Sequence, residues 1–393
     1  MLLKLDQIAT SRRTPKVVAP MVAPQDGPLD IEVPEAEGLG ASITTLDRVH
    51  AAHTEGYGAV LRTARRAALD FRAEFAATGT PLHVSSHDLV TAPYPTKFGL
   101  WRAPSSPAPY VFLTNRMLVV RWHDSDGTLR TLLWEPSDAE LVANTAFYRS
   151  VAEATPDFLV EKLVTNYGDV VPRAIAAGID PAEVDYVAFD HLHTQDVRRL
   201  VGTTKPQGDI SPDAPVQAWF PNARLIVQRH ELLAMRDLHP LQKPWYQPET
   251  FVDIDPAKYL VIDGDRLLAP GVALIRTPGH ATGNQTLVLN TGTGIWTLSE
   301  NAVGAECMTP EHSRIPGVAG WASKWGQEVV MNANTIETTA TQYNFCIVEK
   351  LLADRSQQDE RFLQFYPTSE LTASPFGPGV KPTFTHGGLT HDA

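Results

Sequence analysis

The stretch Val184–Leu200, VDYVAFDHLHTQDVRRL, places two histidines one residue apart, directly after an apolar run that is typical of a buried strand. Residues i and i+2 of a strand point to the same side, so His191 and His193 present two imidazoles to one point. Imidazole is a preferred ligand of zinc and ferrous iron, but two ligands do not make a tight site. His280 offers a third, because LIRTPGHATGNQTLVL places it in a Pro-Gly turn between two predicted strands.

The length and composition restrict the class of protein. A chain of 393 residues with 43% hydrophobic residues forms either one large α/β domain with extensions or two domains. The net charge of −12, from 33 basic and 45 acidic residues, argues against nucleic acid or an anionic membrane as partner. The two cysteines, Cys307 and Cys346, exclude a disulfide framework.

The amino-terminal residues MLLKLDQIATSRR lack the apolar core of a signal peptide, and no run of 18 apolar residues occurs in the chain. These features predict a soluble cytoplasmic protein whose partner is a small-molecule substrate.

The chain is predicted to have an N-terminal arm and helical extension over residues 1–80 and a catalytic domain over residues 81–393. Residues 14–38 are rich in Pro, Gly and acids, which predicts an extended arm over this subunit or a neighbouring one. We therefore expect a homo- or hetero-oligomer that assembles through the arm. Residues 44–77 have the spacing of an amphipathic helix, with a predicted break near residues 56–58.

The remaining pattern begins with β-strands and continues with strands and helices in alternation, which predicts sheets covered by helices. HDSDG, residues 123–127, is a hairpin turn signal between two strands. Helices are predicted over residues 155–179 and 328–354, and a final strand over residues 362–367. Two loops rich in proline and aromatic residues, 93–101 and 240–251, are candidate walls of an apolar pocket.

An isolated pair of histidines is more often a chance pattern than a metal site, but the surrounding blocks favour the site. AIAAGIDPAEVDYVAFDHLHTQD resembles the HxHxDH signature of the metallo-β-lactamase-fold superfamily, and FPNARLIVQRHEL resembles the segment that follows it in the lactonase-like branch. LIRTPGHATGNQTLVL is similar to the family's TPGH block, and GIWTLSENAV occupies the place of its GD strand end.

The resemblance implies a four-layer αββα sandwich with a metal site at one edge of the paired sheets. It also implies that His191, His193 and His280 form a three-histidine metal site. Glu300 occupies the place of the family's bridging aspartate.

The sequence departs from the family's motif at HLHTQD, where Gln195 and Asp196 occupy the positions of the aspartate and the last histidine. Ser369 stands where the family has its late histidine, so His386 and His312 are the candidates to complete the site. Two outcomes remain open. One is a single ion on three histidines with an open fourth position. The other adds a second ion bound through Asp196, Glu300 and His386.

The resemblance implies a metal-dependent hydrolase with one or two divalent ions, preferably zinc, with iron or manganese as alternatives. A metal-bound hydroxide would attack an ester, lactone, amide or activated ether of a small, partly apolar substrate. Asp196 would accept a proton or bind the second ion, Gln195 would hydrogen-bond the water or the substrate, and Glu300 would bridge or support. The alternatives are a mononuclear iron enzyme that uses oxygen, and a non-catalytic or partner-dependent subunit of a hetero-oligomeric hydrolase.

Overall fold

Two β-sheets and the helices on their outer faces form the part of the chain that the computed structural model describes, residues 27–333 and 338–393. The strands are β1 (Ala41–Ile43), β2 (His83–Pro95), β3 (Tyr110–His123), β4 (Leu129–Trp134), β5 (Thr165–Asn166), β6 (Tyr186–Ala188), β7 (Pro206–Gln207), β8 (Ser211–Pro215), β9 (Arg224–Gln228), β10 (Tyr259–Ile262), β11 (Asp265–Ala269), β12 (Val272–Arg276), β13 (Gln285–Thr291), β14 (Gly294–Leu298), β15 (Ser369–Thr372) and β16 (Thr390–Asp392). The helices are α1 (Asp47–Ala51), α2 (Tyr57–Ala76), α3 (Thr96–Gly99), α4 (Ala139–Val142), α5 (Ala146–Ala154), α6 (Asp157–Leu163), α7 (Val170–Ala176), α8 (Arg198–Val201), α9 (Arg229–Arg236), α10 (Ala305–Met308), α11 (Val318–Trp325) and α12 (Thr339–Leu352). Short 3-10 helices cover Ala52–Glu55, Pro181–Glu183, Pro248–Phe251, Pro256–Lys258 and Pro310–His312.

The larger sheet has the order β10-β9-β6-β4-β3-β2-β16, with β15 paired to β3 and β5 paired to β2. Its strands β4, β6, β9 and β10 run parallel, so their carboxyl ends meet at one edge. The smaller sheet is antiparallel, in the order β1-β11-β12-β13-β14. A separate hairpin joins β7 and β8.

Both faces of each sheet are buried, which explains why the strands read as almost continuous apolar runs. In β3, Leu118 and Val120 pack between the two sheets, whereas Val119 packs on the outer side. In β13, Leu287 faces the larger sheet, whereas Val288 faces the outer helices. The layers are therefore helix, sheet, sheet and helix, and the expected αββα sandwich is confirmed.

The predicted helical extension forms part of an outer layer of this sandwich. The amphipathic segment breaks where expected, because Gly56 has a φ of 88° between the Ala52–Glu55 turn and α2. Phe71 and Phe75 of α2 are buried in the cluster that includes Phe345 of α12 and Ile275 of β12. Helix α2 thus covers the outer face of the smaller sheet together with α12.

The described part of the predicted arm lies on its own subunit. Residues 14–26 of the arm lie outside the described residues, and residues 27–38 contain no helix or strand. The amide of Leu29 donates to the carbonyl of Arg236 at 2.7 Å, and Ile31 is buried in the main core. Glu37 forms an ion pair with Arg224. Assembly through the arm stays a prediction.

The helix predicted over residues 155–179 is wrong in its middle. It is divided into α6 and α7, because Thr165 and Asn166 leave the helix to pair with β2. Gly168 then has a φ of 142°, which a helix does not allow. Tertiary strand pairing therefore overrides the local helical pattern.

The helix predicted over residues 328–354 and the strand predicted over residues 362–367 are also corrected. Among the described residues of the first region, 328–333 and 338–354, α12 is the only helix. Val330 and Asn332 instead donate their amides to the carbonyls of Cys307 and Asn301. In the second region Phe365 makes a single bridge to Thr297, and the last strands are β15 and β16. A search of the described residues finds no helix that is long and apolar enough to cross a membrane.

We expect Phe75→Ala to lower the free energy of unfolding by about 3–4 kcal/mol, because Phe75 is 1% exposed between α2, α12 and the smaller sheet. Leu69→Ala on the same helix is the control, since Leu69 is 52% exposed. Denaturant unfolding of both variants measures the difference. Equal loss in the two variants would show that α2 does not pack as described.

Candidate metal centre

Three histidines lie at the edge of the sandwich where the carboxyl ends of the parallel strands meet. His191 and His193 follow β6, and His280 lies in the turn between β12 and β13. The larger sheet supplies two of the side chains and the smaller sheet supplies the third. The site therefore depends on how the two sheets pack against each other.

The three imidazoles are buried and converge on one point. Their potential ligand atoms all lie within 4.8 Å of one another. The ring centroid of His191 lies 4.5 Å from those of His193 and His280, and the latter two centroids are 5.1 Å apart. The shortest nitrogen separation is 3.3 Å, between Nδ1 of His193 and Nε2 of His280.

One nitrogen of each imidazole is held from outside the cluster, which leaves the other nitrogen directed inward. Ligating histidines in metalloproteins commonly show this arrangement, since the outer bond sets the tautomer and the ring orientation. Nε2 of His191 is buried without a hydrogen-bond partner. The donor set therefore fits a divalent ion. The outer contacts are His191 Nδ1 to Asp190 Oδ1 at 2.5 Å, His193 Nε2 to Gln242 Oε1 at 2.9 Å, and His280 Nδ1 to the carbonyl of Asn332 at 2.7 Å.

A buried carboxylate holds the two histidine loops together. Glu231 of α9 accepts hydrogen bonds from the amide of Leu192 at 2.8 Å and from the amide of Gly283 at 3.0 Å. The hydroxyl of Tyr246 donates to the same carboxylate at 2.6 Å. A Cβ on Gly283 would lie 2.4 Å from the backbone of Glu231, so only glycine allows this approach.

Asp190 makes the largest set of contacts around the histidines. Its carboxylate bonds to His191, to the amide of Glu300 at 2.5 Å and to the hydroxyl of Thr368 at 3.2 Å. Its own amide donates to Glu135 Oε1 at 2.6 Å, and its carbonyl accepts from the amide of Gln285 at 2.7 Å. One residue thus joins segments from both sheets at the candidate site.

The charges around the histidines are unequal. Burial opposes a charge on His191, but the carboxylate of Asp190 raises the pKa of this imidazole to about 9. Burial and the neighbouring His191 lower the pKa of His280 to about 3 and hold the pKa of His193 well below its usual value. Two of the three imidazoles are therefore neutral at pH 7, and Asp190 provides a negative charge beside the third.

The sequence of this chain is similar to known proteins over only part of its length. No family model matches the chain. An N-acyl homoserine lactonase from a Bacillus species is 29% identical over 114 residues, and the lactonase AiiA from Bacillus thuringiensis subsp. kurstaki is 30% identical over 114 residues. Each alignment covers 29% of this chain and 36% of the relative, so the match spans about a third of those lactonases.

The layers and the position of the histidines agree with the arrangement that the resemblance implies. The chain has the metallo-β-lactamase fold. Overlaps with solved structures are partial. A probable metal-dependent hydrolase from Staphylococcus aureus has a TM-score of 0.45 at 12% identity, over 66% of this chain and 81% of that one. The dizinc quorum-quenching lactonase AidC has a TM-score of 0.41 at 10% identity, over 67% and 82%.

The structure does not bring Asp196 to the histidines. Both of its carboxylate oxygens accept hydrogen bonds from the guanidinium of Arg198, which also pairs with Asp209. Thr194 has a φ of 64°, so the chain turns after His193 and the alternation of a strand ends there. In this metallo-β-lactamase fold the predicted ligand is instead a buried ion-pair partner.

Gln195, Glu300 and Ser369 do lie at the site, since all three line the cavity that contains the histidines. The side-chain oxygen Oε1 of Gln195 is buried without a hydrogen-bond partner. Burial and the charge of Asp190 raise the pKa of the Glu300 carboxyl to about 7, although His191 and the neighbouring hydroxyls of Ser369 and Thr368 oppose the shift. Ser369 stands where the resemblance places the family's late histidine, and it lines the cavity beside Glu300.

His386 and His312 lie elsewhere. His386 packs against Trp296 with ring centroids 4.8 Å apart, and its Nε2 contacts the carbonyl of Leu363 at 2.9 Å. The ring of His312 lies 6.2 Å from that of Phe362. Among the described residues the only cluster of three or more potential ligands is the histidine triad, and neither of these side chains lines its cavity.

The cavity has one apolar wall, to which both predicted segments contribute. The segment 93–101 is not a loop as predicted, because its first residues end β2 and α3 follows. Tyr94 of β2 nevertheless lines the cavity, with its ring centroid 6.2 Å from that of Trp245 in the segment 240–251. Phe147 of α5 packs on Trp245 at 4.7 Å. The apolar residues along this wall are Val90, Ala92, Leu113, Val142, Phe147 and Trp245.

Several residues at the site were not predicted from the sequence. Asp190 directly precedes His191, so its position in the motif was a readable signal. Glu135 and Gln242 had no local signal, because each reaches the site from a different segment. Glu135 has a φ of 59°, and burial raises the pKa of its carboxyl well above the usual value.

A second buried carboxyl, Glu349 of α12, supports the strand end that carries Glu300. Its Oε1 accepts from Thr286 at 2.5 Å, from Ser299 at 2.7 Å and from Asn301 at 3.0 Å, whereas Oε2 has no partner. Burial raises the pKa of this carboxyl to about 7, although the three hydrogen bonds oppose the shift. The folded protein therefore holds a proton that the unfolded chain releases above its ordinary pKa near 4.5.

We expect Glu349→Gln to remove this pH dependence. The free energy of unfolding of the wild type falls as the pH rises through the window from about 4.5 to 7, since only the folded state is protonated there. From pH 5 to pH 8 the variant should gain about 2 kcal/mol relative to the wild type. Denaturant unfolding at both pH values measures this gain, with the exposed Glu153→Gln as control. A constant difference would contradict the proton assignment.

Proposed function

We propose that this chain is a metal-dependent hydrolase that opens lactones or cleaves related esters. The observation that supports this most directly is the convergence of three imidazole nitrogens whose opposite nitrogens are all held from outside. The local similarity to N-acyl homoserine lactonases supports lactones as the first substrate class to test.

Nε2 of His191, Nδ1 of His193 and Nε2 of His280 would hold the ion, and three nitrogen ligands favour zinc. When bound, such an ion activates water and polarises a carbonyl group. Only one cluster of potential ligands occurs in the described residues, and Asp196 is held by Arg198. We therefore propose one tightly held ion rather than two.

The residues around the ion site would orient the substrate. Gln195 offers an unpartnered acceptor to a substrate N–H or to water, and the wall near Trp245 suits an acyl chain. The cavity leaves about 70 Å³, room for two or three water molecules. A larger substrate must displace part of this wall.

The first experiment measures metal content and hydrolysis in the purified full chain. We expect about one ion per chain by mass spectrometry, and hydrolysis of N-acyl homoserine lactones or simpler lactones that chelation abolishes and zinc restores. His191→Ala should lose both the ion and the activity, whereas His123→Ala, at the exposed end of β3, should retain both.

Other outcomes identify the alternative functions. Bound iron with oxygen consumption would replace this proposal with the oxygen-dependent enzyme. Activity that appears only after a partner chain is added would support the partner-dependent subunit. A metal-free wild type that hydrolyses no ester or lactone would refute the proposed function.

We expect substitutions of Asp190 and Asp196 to have different effects on the affinity for the metal ion. Asp190→Asn removes the anionic partner of His191, and we expect the dissociation constant of the ion to rise about 10- to 100-fold. Asp196→Asn is the matched control and should leave that constant unchanged, because Asp196 contacts Arg198. Competition with a chromogenic chelator measures both constants. A loss of affinity in Asp196→Asn alone would restore its predicted role as a ligand.

A further inference from the structure

We infer that Tyr148 is a further catalytic residue, which donates a hydrogen bond to the carbonyl oxygen of the substrate while that oxygen gains negative charge. This inference rests on the proposed hydrolase function. It begins from the position of Tyr148 on α5, where its side chain lines the same cavity as the three histidines and Glu300.

The position of the Tyr148 ring is set by its neighbours on α5. The amide of Phe147 donates to the carbonyl of Pro244 at 3.1 Å, and the ring of Phe147 packs on Trp245. The ring of Trp245 lies 6.1 Å from that of His193. The first turn of α5 is therefore attached to the loop beside the histidines, and Tyr148 meets Phe147 edge to face at 5.0 Å.

Tyr148 is one of several side chains at the cavity that carry a hydrogen-bond donor, and the others include Tyr94, Ser137 and Asn115. Within the described residues no lysine or arginine lines the cavity. Ser369 lies beside the carboxyl of Glu300, and Gln195 offers an acceptor oxygen and a donor NH2 group. Tyr148 presents an O–H group at this cavity, and such donors contribute most where water is excluded.

The protonation state of Tyr148 agrees with a donor role. Burial of the phenol and the nearby carboxyl of Glu300 raise the pKa of Tyr148 above its ordinary value of 10. The phenol thus keeps its proton throughout the neutral range. It donates a hydrogen bond and transfers no proton.

The chemistry balances without a further reactant. The oxygen of water bonds to the acyl carbon, the bond from that carbon to the ring oxygen breaks, and a water proton passes to the ring oxygen. Tyr148 contacts only the acyl oxygen, which is negative in the tetrahedral intermediate. Its contribution is therefore larger in the transition state than in the bound substrate.

The test compares Tyr148→Phe with the wild type on one lactone substrate. We expect kcat to fall about 10²- to 10³-fold with KM changed by less than about threefold, as for the loss of one oxyanion donor. Metal content and melting temperature should not change. Tyr57→Phe is the control, since Tyr57 is an exposed tyrosine at the start of α2.

Binding of a phosphonate analogue provides a readout independent of turnover. Calorimetry should show that a phosphonate with the tetrahedral charge of the intermediate binds the metal-loaded Tyr148→Phe protein more weakly, in proportion to the loss in kcat/KM. Wild-type hydrolysis with equal kcat in Tyr148→Phe would overturn this inference and leave the proposed function intact. A wild type that hydrolyses no lactone or ester would overturn both. A loss of metal or of thermal stability in Tyr148→Phe would assign Tyr148 a structural role and overturn the inference.

Discussion

The carboxylate of Asp190 is the contact on which the rest of the site depends. It hydrogen-bonds Nδ1 of His191 and accepts a hydrogen bond from the backbone amide of Glu300. It therefore joins the residues that follow β6 to the residues that follow β14. Without this acceptor, two sheet edges would present buried donors to each other, which costs free energy in an interior without water. One acidic side chain therefore joins the two sheet edges and orients His191.

Two further buried carboxyls, Glu231 and Glu349, hold the segments around the site in the same way. Glu231 connects the loop of His193 to the loop of His280 through two backbone amides, and Glu349 supports the strand end that carries Glu300. Buried carboxyls are costly unless they are hydrogen-bonded or neutralised, and each of these has several donors. Their concentration at one edge of the sheets is typical of a site where a positive charge is to be bound.

The altered motif is consistent with a centre of reduced charge. Asp196 is neutralised by Arg198, and Ser369 replaces the late histidine beside Glu300. In the proposed hydrolase these two changes would remove ligands for a second ion, while the three-histidine cluster is kept. A hydrolase with one ion then needs other groups to position the acyl oxygen and the water, which is the role we assign to Tyr148 and Gln195.

The sequence by itself determined the sandwich and the convergence of His191, His193 and His280. It also determined that Gln195 and Glu300 lie at the same cavity. These features could be predicted because strand alternation and ordered motif blocks are local signals. Tertiary structure alone decided that Asp196 turns away, that His386 and His312 lie elsewhere, and that Glu135 and Gln242 reach the histidines. It also decided that residues 328–333 are not helical and that residues 165–166 leave a helical pattern to pair with β2. The reason is that ion pairs, strand partners and left-handed turns such as that at Thr194 depend on residues far away in the chain, which no local pattern encodes.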